Sequence, residues 1–253
     1  MEDLGFIAQL WRYPVKSFQG EPVASLAVAP GGATGDRGLA VVDRAAGKVL
    51  SAKAWAQLLE ASARLDDTDG VIITLPGGSE LAAADPDVHA ALSTWLDRDV
   101  YLDAPPTDAV LPMEMHTGWS DEDTPLFDWP GPPGTWVDLA DAHWLNTASL
   151  AAAAALHPHG QWDVRRFRPT ALIDGPTPGW AEDAWTTIAL GEVHSEVLMP
   201  TPRCSMPSRA QPGLERDLTI GTTIRDSHAN NLGVYASIVS AGILHTGDEV
   251  HTR

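Results

Sequence analysis

Near its start the chain carries FIAQLWRYPVKS, an apolar and β-branched run broken at Pro14, whose missing N–H cannot join a sheet ladder. The pattern predicts a strand running into a turn. A Gly-rich turn, PGGATGDRG, leads into LAVVD, an unbroken apolar stretch suited to a strand covered on both faces, and AAGK after it predicts a hairpin. From Ser51 the period changes. Trp55, Leu58, Leu59 and Ser62 share one helical face, and a short strand, VIITL, follows with its PGG turn. A second helix is predicted from Pro86 to Leu96, because Pro86 suits a first helical position and Val88, Ala91, Leu92, Trp95 and Leu96 form one stripe. Residues 104–134 hold seven prolines and little periodicity, which predicts a long ordered loop or linker. Beyond it come a short strand, TWVDLAD, and a helix near 147–156 capped by Asn146 or Thr147. In VHSEVLM, Val193, Ser195, Val197 and Met199 alternate with His194, Glu196 and Leu198, one of a series of short strands that indicates a barrel or sandwich.

At 253 residues and 44% hydrophobic, the chain can bury a real core, which excludes disorder over most of its length. Thirty-four acidic residues against 16 basic ones give a formal charge of -18, so generic nucleic-acid binding is not expected. No Lys or Arg occurs from Asp99 to Val164, which confines the cations to the two ends of the chain. A single cysteine, Cys204, excludes an internal disulfide, a thiolate-only zinc site and an iron–sulfur cluster held within one chain. With two acids and no basic region in MEDLGFIAQLW, and no apolar run near the ~20 residues that span a bilayer, a cytoplasmic protein without a membrane segment is expected.

Several motifs carry little. LDDTDG fails as a calcium loop, because aligning Asp67, Asp69 and Gly70 puts Leu65 at the first ligand position and Pro76 at the last. His157 and His159 lie in HPHG, which is read more simply as a helix-ending turn than as a metal site. The glycines of PGGATGDRG match neither the dinucleotide fingerprint nor the P-loop. Of the ten tryptophans, Trp119, Trp129 and Trp136 lie in or beside the proline-rich stretch, where some would line a pocket and most would pack.

Cys204 sits in MPTPRCSMP, at a strand end beside Arg203. Guanidinium groups favour a thiolate there, making it a nucleophile, a sulfur carrier or a soft metal ligand; the bland alternative is an inert buried cysteine. Arg165, Arg166 and Arg168 crowd into VRRFRP, Lys16 and Ser17 lie in YPVKS, and Arg37 lies in GDRG. In so acidic a chain this clustering points to an anion site. Each cation ~4 Å from a phosphate oxygen contributes up to about 4 kcal/mol at an effective dielectric of 20.

YPVKSFQGEPV, GDRGLAVVD, KVLSAKAW, RFRPTALIDG, AEDAWTTIALG, PTPRC and GVYASIVSAGILHTGDEV resemble, in this order, the blocks of MOSC-domain proteins. The resemblance is closest to the subgroup with an N-terminal MOSC extension, which includes the mitochondrial amidoxime-reducing component and bacterial N-hydroxylaminopurine reductases. It implies a mostly β fold with α+β elements, a MOSC-type β-barrel with an inserted small α/β subdomain. Residues 1–125 would form the N-terminal region, with the first ~40 joining the barrel, about 45–103 forming the α/β subdomain and the acidic Pro-rich loop following, while 126–253 form the barrel domain. The resemblance further implies a molybdenum cofactor, with pyridoxal phosphate not expected. Cys204 would be both the catalytic residue and the thiolate ligand of the metal; Lys16, Ser17, Arg37, Arg166, Arg168, Thr170 and Arg203 would join it around the pterin and its phosphate. Two positions depart from the pattern: Pro202 stands where several reductases have Ser or Thr, and Thr170 where Asn is usual.

The implied activity is reduction of N-oxygenated small molecules such as hydroxylamines, amidoximes or N-oxides. The alternatives are a sulfurtransferase carrying a Cys204 persulfide and a cofactor-delivery module without turnover. Each reduction takes two electrons, and the sequence has no flavin or dinucleotide fingerprint and no ferredoxin-like extension after GDEV. A separate redox protein of flavoprotein, ferredoxin or cytochrome type is therefore the expected donor; the basic-free stretch that contains SDEDTPLFD is either a solvated acidic loop or a surface that meets a basic face on that donor.

Overall fold

The structure, a computed structural model, describes residues 1–107, 111–115, 127–132 and 134–252. Its larger unit is a closed barrel of seven strands. In order around the ring these are Asp3–Arg12, Ala171–Asp174, Ala142–Asn146, Asn231–Ser240, Val193–Pro202, Thr187–Leu190 and Glu249–Thr252, the last pairing back to the first. Only the contact between Ala142–Asn146 and Ala171–Asp174 is parallel. Helix α2 (Thr147–Leu156) is capped by Asn146, whose side-chain Oδ1 accepts from the Ala148 N–H at 2.9 Å.

Bulges let the chain curve enough to close. In Asp3–Arg12 the inward residues Leu4, Ile7 and Leu10 recur every third position, a spacing foreign to a flat strand. The register shifts between Asp3 and Gly5 and again between Ile7 and Gln9, so the inward face is reset each time. Gly5 has φ +108°, and a Cβ there would stand 2.0 Å from the carbonyl oxygen of Asp174, so only glycine lets the two strands cross. Trp144, wholly buried in the barrel core, satisfies its indole N–H on Ser195 Oγ at 3.0 Å.

A second core forms around Val15, Phe18, Val41, Leu58, Leu92 and Val100. It lies beneath a five-stranded sheet ordered Val100–Asp103, Ala40–Asp43, Lys48–Val49, Met113–Met115, Phe127–Trp129, together with a meander of Ser62–Leu65, Val71–Thr74 and Glu80–Ala82. LAVVD and AAGK form the buried strand and hairpin that their pattern predicts. The helix expected from Ser51 does not form as read: a single 3-10 turn, Ala56–Glu60, gives way to a strand in which Ser62 already pairs with Thr74. Helix α1 (Val88–Leu96) starts after Asp87, so Pro86 precedes the helix instead of opening it. The proline-rich stretch is not a bare loop, since Met113–Met115 and Phe127–Trp129 extend the sheet; Trp119 and residues 120–126 of SDEDTPLFD lie outside the described residues. TWVDLAD forms no strand, and the ladder begins only at Ala142.

Candidate functional site

A cavity of about 310 Å3 lies between the barrel and the N-terminal unit. Lys16 and Ser17 enter it from the turn after the first barrel strand, Arg37 from the GDRG turn, Lys53 from the segment after the hairpin, and Cys204 from the loop after Val193–Pro202. Isolated bridges from Val15 to Leu39 and from Gln19 to Ser62 tie these turns together. Cys204 is half-buried and packs on the N-terminal core although it belongs to the C-terminal half. Among the described residues, Lys16, Arg37, Lys53, Arg166, Arg168 and Arg203 all line the cavity, and Asp138 is its one carboxylate. In a chain of charge -18, six cations against one carboxylate give the pocket a positive lining.

Ser17 (φ 71°), Arg37 (φ 48°) and Arg168 (φ 53°) all hold left-handed backbone, a conformation that costs non-glycine residues on the order of 1–3 kcal/mol and gathers at functional sites. The Ser17 hydroxyl accepts from the Ala52 N–H at 3.0 Å, fixing the Lys53 segment beside it. Lys16 Nζ donates to the Trp136 carbonyl at 2.8 Å and to Asp138 Oδ1 at 2.6 Å, while Lys53 Nζ lies 2.7 Å from Asp138 Oδ2. Tyr13 carries two guanidinium groups over its ring, Arg168 at 4.2 Å and Arg37 at 5.1 Å, and Arg37 also pairs with Asp36. Arg168 donates through Nη1 to the Phe18 carbonyl, and its buried Nη2 has no protein partner. Arg203 donates to the Phe167 carbonyl at 3.0 Å and meets His143 Nε2 at 3.4 Å, and its Nε is likewise buried without a protein partner.

Burial and like charge set the proton affinities. Lys16 is pushed down to about 8 by burial, against the pull of Asp138. Burial works against the Asp138 carboxylate, yet Lys16 and Lys53 hold its pKa well below the ordinary range. Lys53 goes up despite burial, raised chiefly by Asp138. Arg168 falls to about 10 through burial and the neighbouring Arg37. Burial, then Arg203, lowers His143 to about 3, so its ring is neutral at pH 7 and its Nε2 can accept.

Lys16, Ser17, Arg37, Arg168, Arg203 and Cys204 thus share one cavity. Two residues selected from sequence act differently. Arg166, though in the wall, donates to the carbonyls of Gln161, Pro207, Arg209 and Glu215 at 2.7–2.9 Å and is wholly buried, so it clamps loops and offers no open face to an anion. Thr170 stays out of this cavity: its hydroxyl accepts from the His143 N–H at 3.1 Å and its N–H donates to the His143 carbonyl, which positions His143. Arg165 pairs with Asp163, leaving Arg168 as the arginine of VRRFRP with an open donor. His157, read as part of a turn, meets Asp217 Oδ2 at 2.7 Å and joins α2 to the N-cap of α3 (Leu218–His228). Asp138, Lys53, His143 and Tyr235 escaped the sequence reading. The available signal was charge: Asp138 is a carboxylate in a stretch with no cation of its own, and it finds two elsewhere.

A closed seven-strand barrel joined to a second β unit, with a thiol and a ring of cations between them, defines a class, and family comparison supplies the rest. The MOSC N-terminal beta barrel domain matches residues 4–101 and the MOSC domain matches residues 137–251. The chain belongs to the MOSC-domain proteins that carry this N-terminal domain. The strand Asp3–Arg12, most of it inside the N-terminal match, completes the barrel of the C-terminal one, so the two domains interlock. The YUAD protein from Bacillus subtilis shares the fold at 10% identity and a TM-score of 0.50, over 98% of this chain and 96% of that one. YiiM from Geobacillus stearothermophilus aligns at 14% identity and a TM-score of 0.34, over 57% of this chain and 74% of that one. No helix among the described residues is long and apolar enough to cross a membrane.

Proposed function

We propose that the protein is a molybdenum-cofactor-dependent oxidoreductase that reduces N-oxygenated substrates such as hydroxylamines, amidoximes or N-oxides. The carrying observation is the pairing, in one cavity, of a half-buried thiol with two buried guanidinium donors that lack protein partners, Arg168 Nη2 and Arg203 Nε. A buried donor left unmade costs roughly 1–3 kcal/mol, which an anionic ligand recovers. No cluster of three or more His, Cys, Asp or Glu side chains stands ready for a metal among the described residues. The residues therefore fit a metal that arrives with most of its own ligands, needs one soft thiolate and brings a phosphate for the cations.

In this reading Cys204 holds the metal, while Lys16, Arg37, Arg168 and Arg203 hold the pterin and its phosphate. When bound, the cofactor supplies two-electron removal of an oxygen atom from nitrogen. Asp138 keeps both lysine ammonium groups aimed at the cavity, and Thr170 keeps His143 against Arg203. A separate redox protein delivers the electrons.

Metal analysis of the purified protein tests the reading. Roughly one molybdenum per chain is expected for wild type, and Cys204→Ser should lower hydroxylamine reduction by at least ~100-fold, since a hydroxyl does not ionise near pH 7 and is a harder ligand. Wild-type activity in Cys204→Ser would refute the assignment. Molybdenum-free protein carrying cyanide-labile sulfur on Cys204 would point instead to the sulfur-transfer alternative.

A further inference from the structure

The strand Phe127–Trp129 lies outside both family matches, yet Phe127 and Trp129 line the same cavity as Cys204. Strand alternation explains how: residues two apart share a face, while Asp128 between them pairs with Lys48 at 2.7 Å on the neighbouring hairpin. The strand is anchored to the charged part of the site, because the Trp129 indole donates to the Asp138 carbonyl at 2.9 Å. Leu139, next in sequence to Asp138, also lines the cavity. Phe127 remains 38% exposed and Leu139 41% exposed, so apolar surface faces solvent at a pocket otherwise rich in cations. Cations explain an anion; they do not explain this lip. Two aromatic residues at i and i+2 lie roughly 7 Å apart along a strand, within the range over which rings interact with a ring placed among them.

We infer that Phe127, Trp129 and Leu139 form the substrate-recognition lip, and that it selects N-oxygenated substrates bearing a flat aromatic body over small aliphatic ones. This rests on the reductase reading above. Phe127 and Trp129 come from the segment between the two family matches and Leu139 from the start of the second, so the aromatic part of the lip is carried by residues that the family matches do not cover.

The test uses the cofactor-loaded protein with benzamidoxime and acetamidoxime, which share their reacting group, and calorimetry of the corresponding products, benzamidine and acetamidine. Wild type should favour the aromatic member of each pair. Phe127→Ala should reduce that preference roughly tenfold through KM and binding, with kcat for benzamidoxime changed little, and Phe127→Tyr should restore it. Leu156→Ser, at an exposed position on α2, serves as control and should keep the preference. Equal handling of the two substrates by wild type, or a preference untouched by Phe127→Ala, overturns the lip. If neither amidoxime is turned over, the reductase reading fails and the product pair decides the lip alone: equal or absent binding of benzamidine and acetamidine overturns it.

Discussion

A buried ammonium group whose pKa has come down to about 8 makes Lys16 the residue through which pH reaches the cavity. Below that value it is charged in both the folded and the unfolded chain. Between about 8 and the unfolded value of 10.5 only the unfolded chain keeps the proton, so folding stability gains from this group as pH rises while the cavity loses a cation. Asp138 acts in the opposite limb: its depressed pKa adds stability above the ordinary 3.8 that is lost as pH falls toward the lower folded value. Retention of an anionic cofactor should therefore weaken about tenfold above pH 8, and Lys16→Arg, whose charge persists, should flatten the profile. A wild-type retention curve that is level from pH 7 to 9.5 would contradict this role. Lys16 and Cys204 were legible in the sequence because their types and neighbours carry chemistry. The clamp made by Arg166 was not legible for a physical reason: four carbonyls converge on it from segments 161 to 215, and nothing local to VRRFRP announces them.

Among the elements, Asn231–Ser240 bears most directly on the site, since it pairs with both Ala142–Asn146 and Val193–Pro202 and presents Tyr235 opposite His143. Gly233 in this strand has φ +77°, and a Cβ there would lie 2.4 Å from His143 Nε2 and 2.7 Å from the Trp144 carbonyl. Gly233→Ala should cost about 2 kcal/mol or more, seen as a lower denaturant midpoint at unchanged m-value, and should push the His143 ring off Arg203. An unchanged midpoint would show that the ring yields freely. Element types were readable where the pattern was clear, as in the helical stripe of α1 and the unbroken apolar run of LAVVD. They failed where tertiary contacts override period: the apolar spacing at Trp55, Leu58 and Leu59 fits a helix, but Ser62–Leu65 is claimed by the meander it pairs with. TWVDLAD reads as a short strand, yet its backbone and side chains serve the cavity, with the Trp136 carbonyl taking Lys16 Nζ and Asp138 taking both lysines.

Charge organises the whole molecule, because a chain of formal charge -18 gathers six of its 16 cations into the wall of one cavity and leaves most of the rest of the surface acidic. The inward field suits a phosphorylated cofactor, and the outward field suits a partner with a basic face. In the proposed reaction a separate redox protein is the proposed donor of the two electrons. Loaded protein given NADPH alone should thus show no turnover, and adding a redox carrier should start it. If acidic surface steers the encounter, the second-order rate constant for carrier-driven reduction should fall steeply as ionic strength rises from 0.01 to about 0.15 M, where the screening length shrinks from about 30 to 8 Å, with kcat at saturating carrier nearly constant. The two halves separate cleanly in one experiment: turnover on NADPH without a carrier would remove the partner, while a carrier-dependent rate indifferent to salt would keep the partner and remove electrostatic steering.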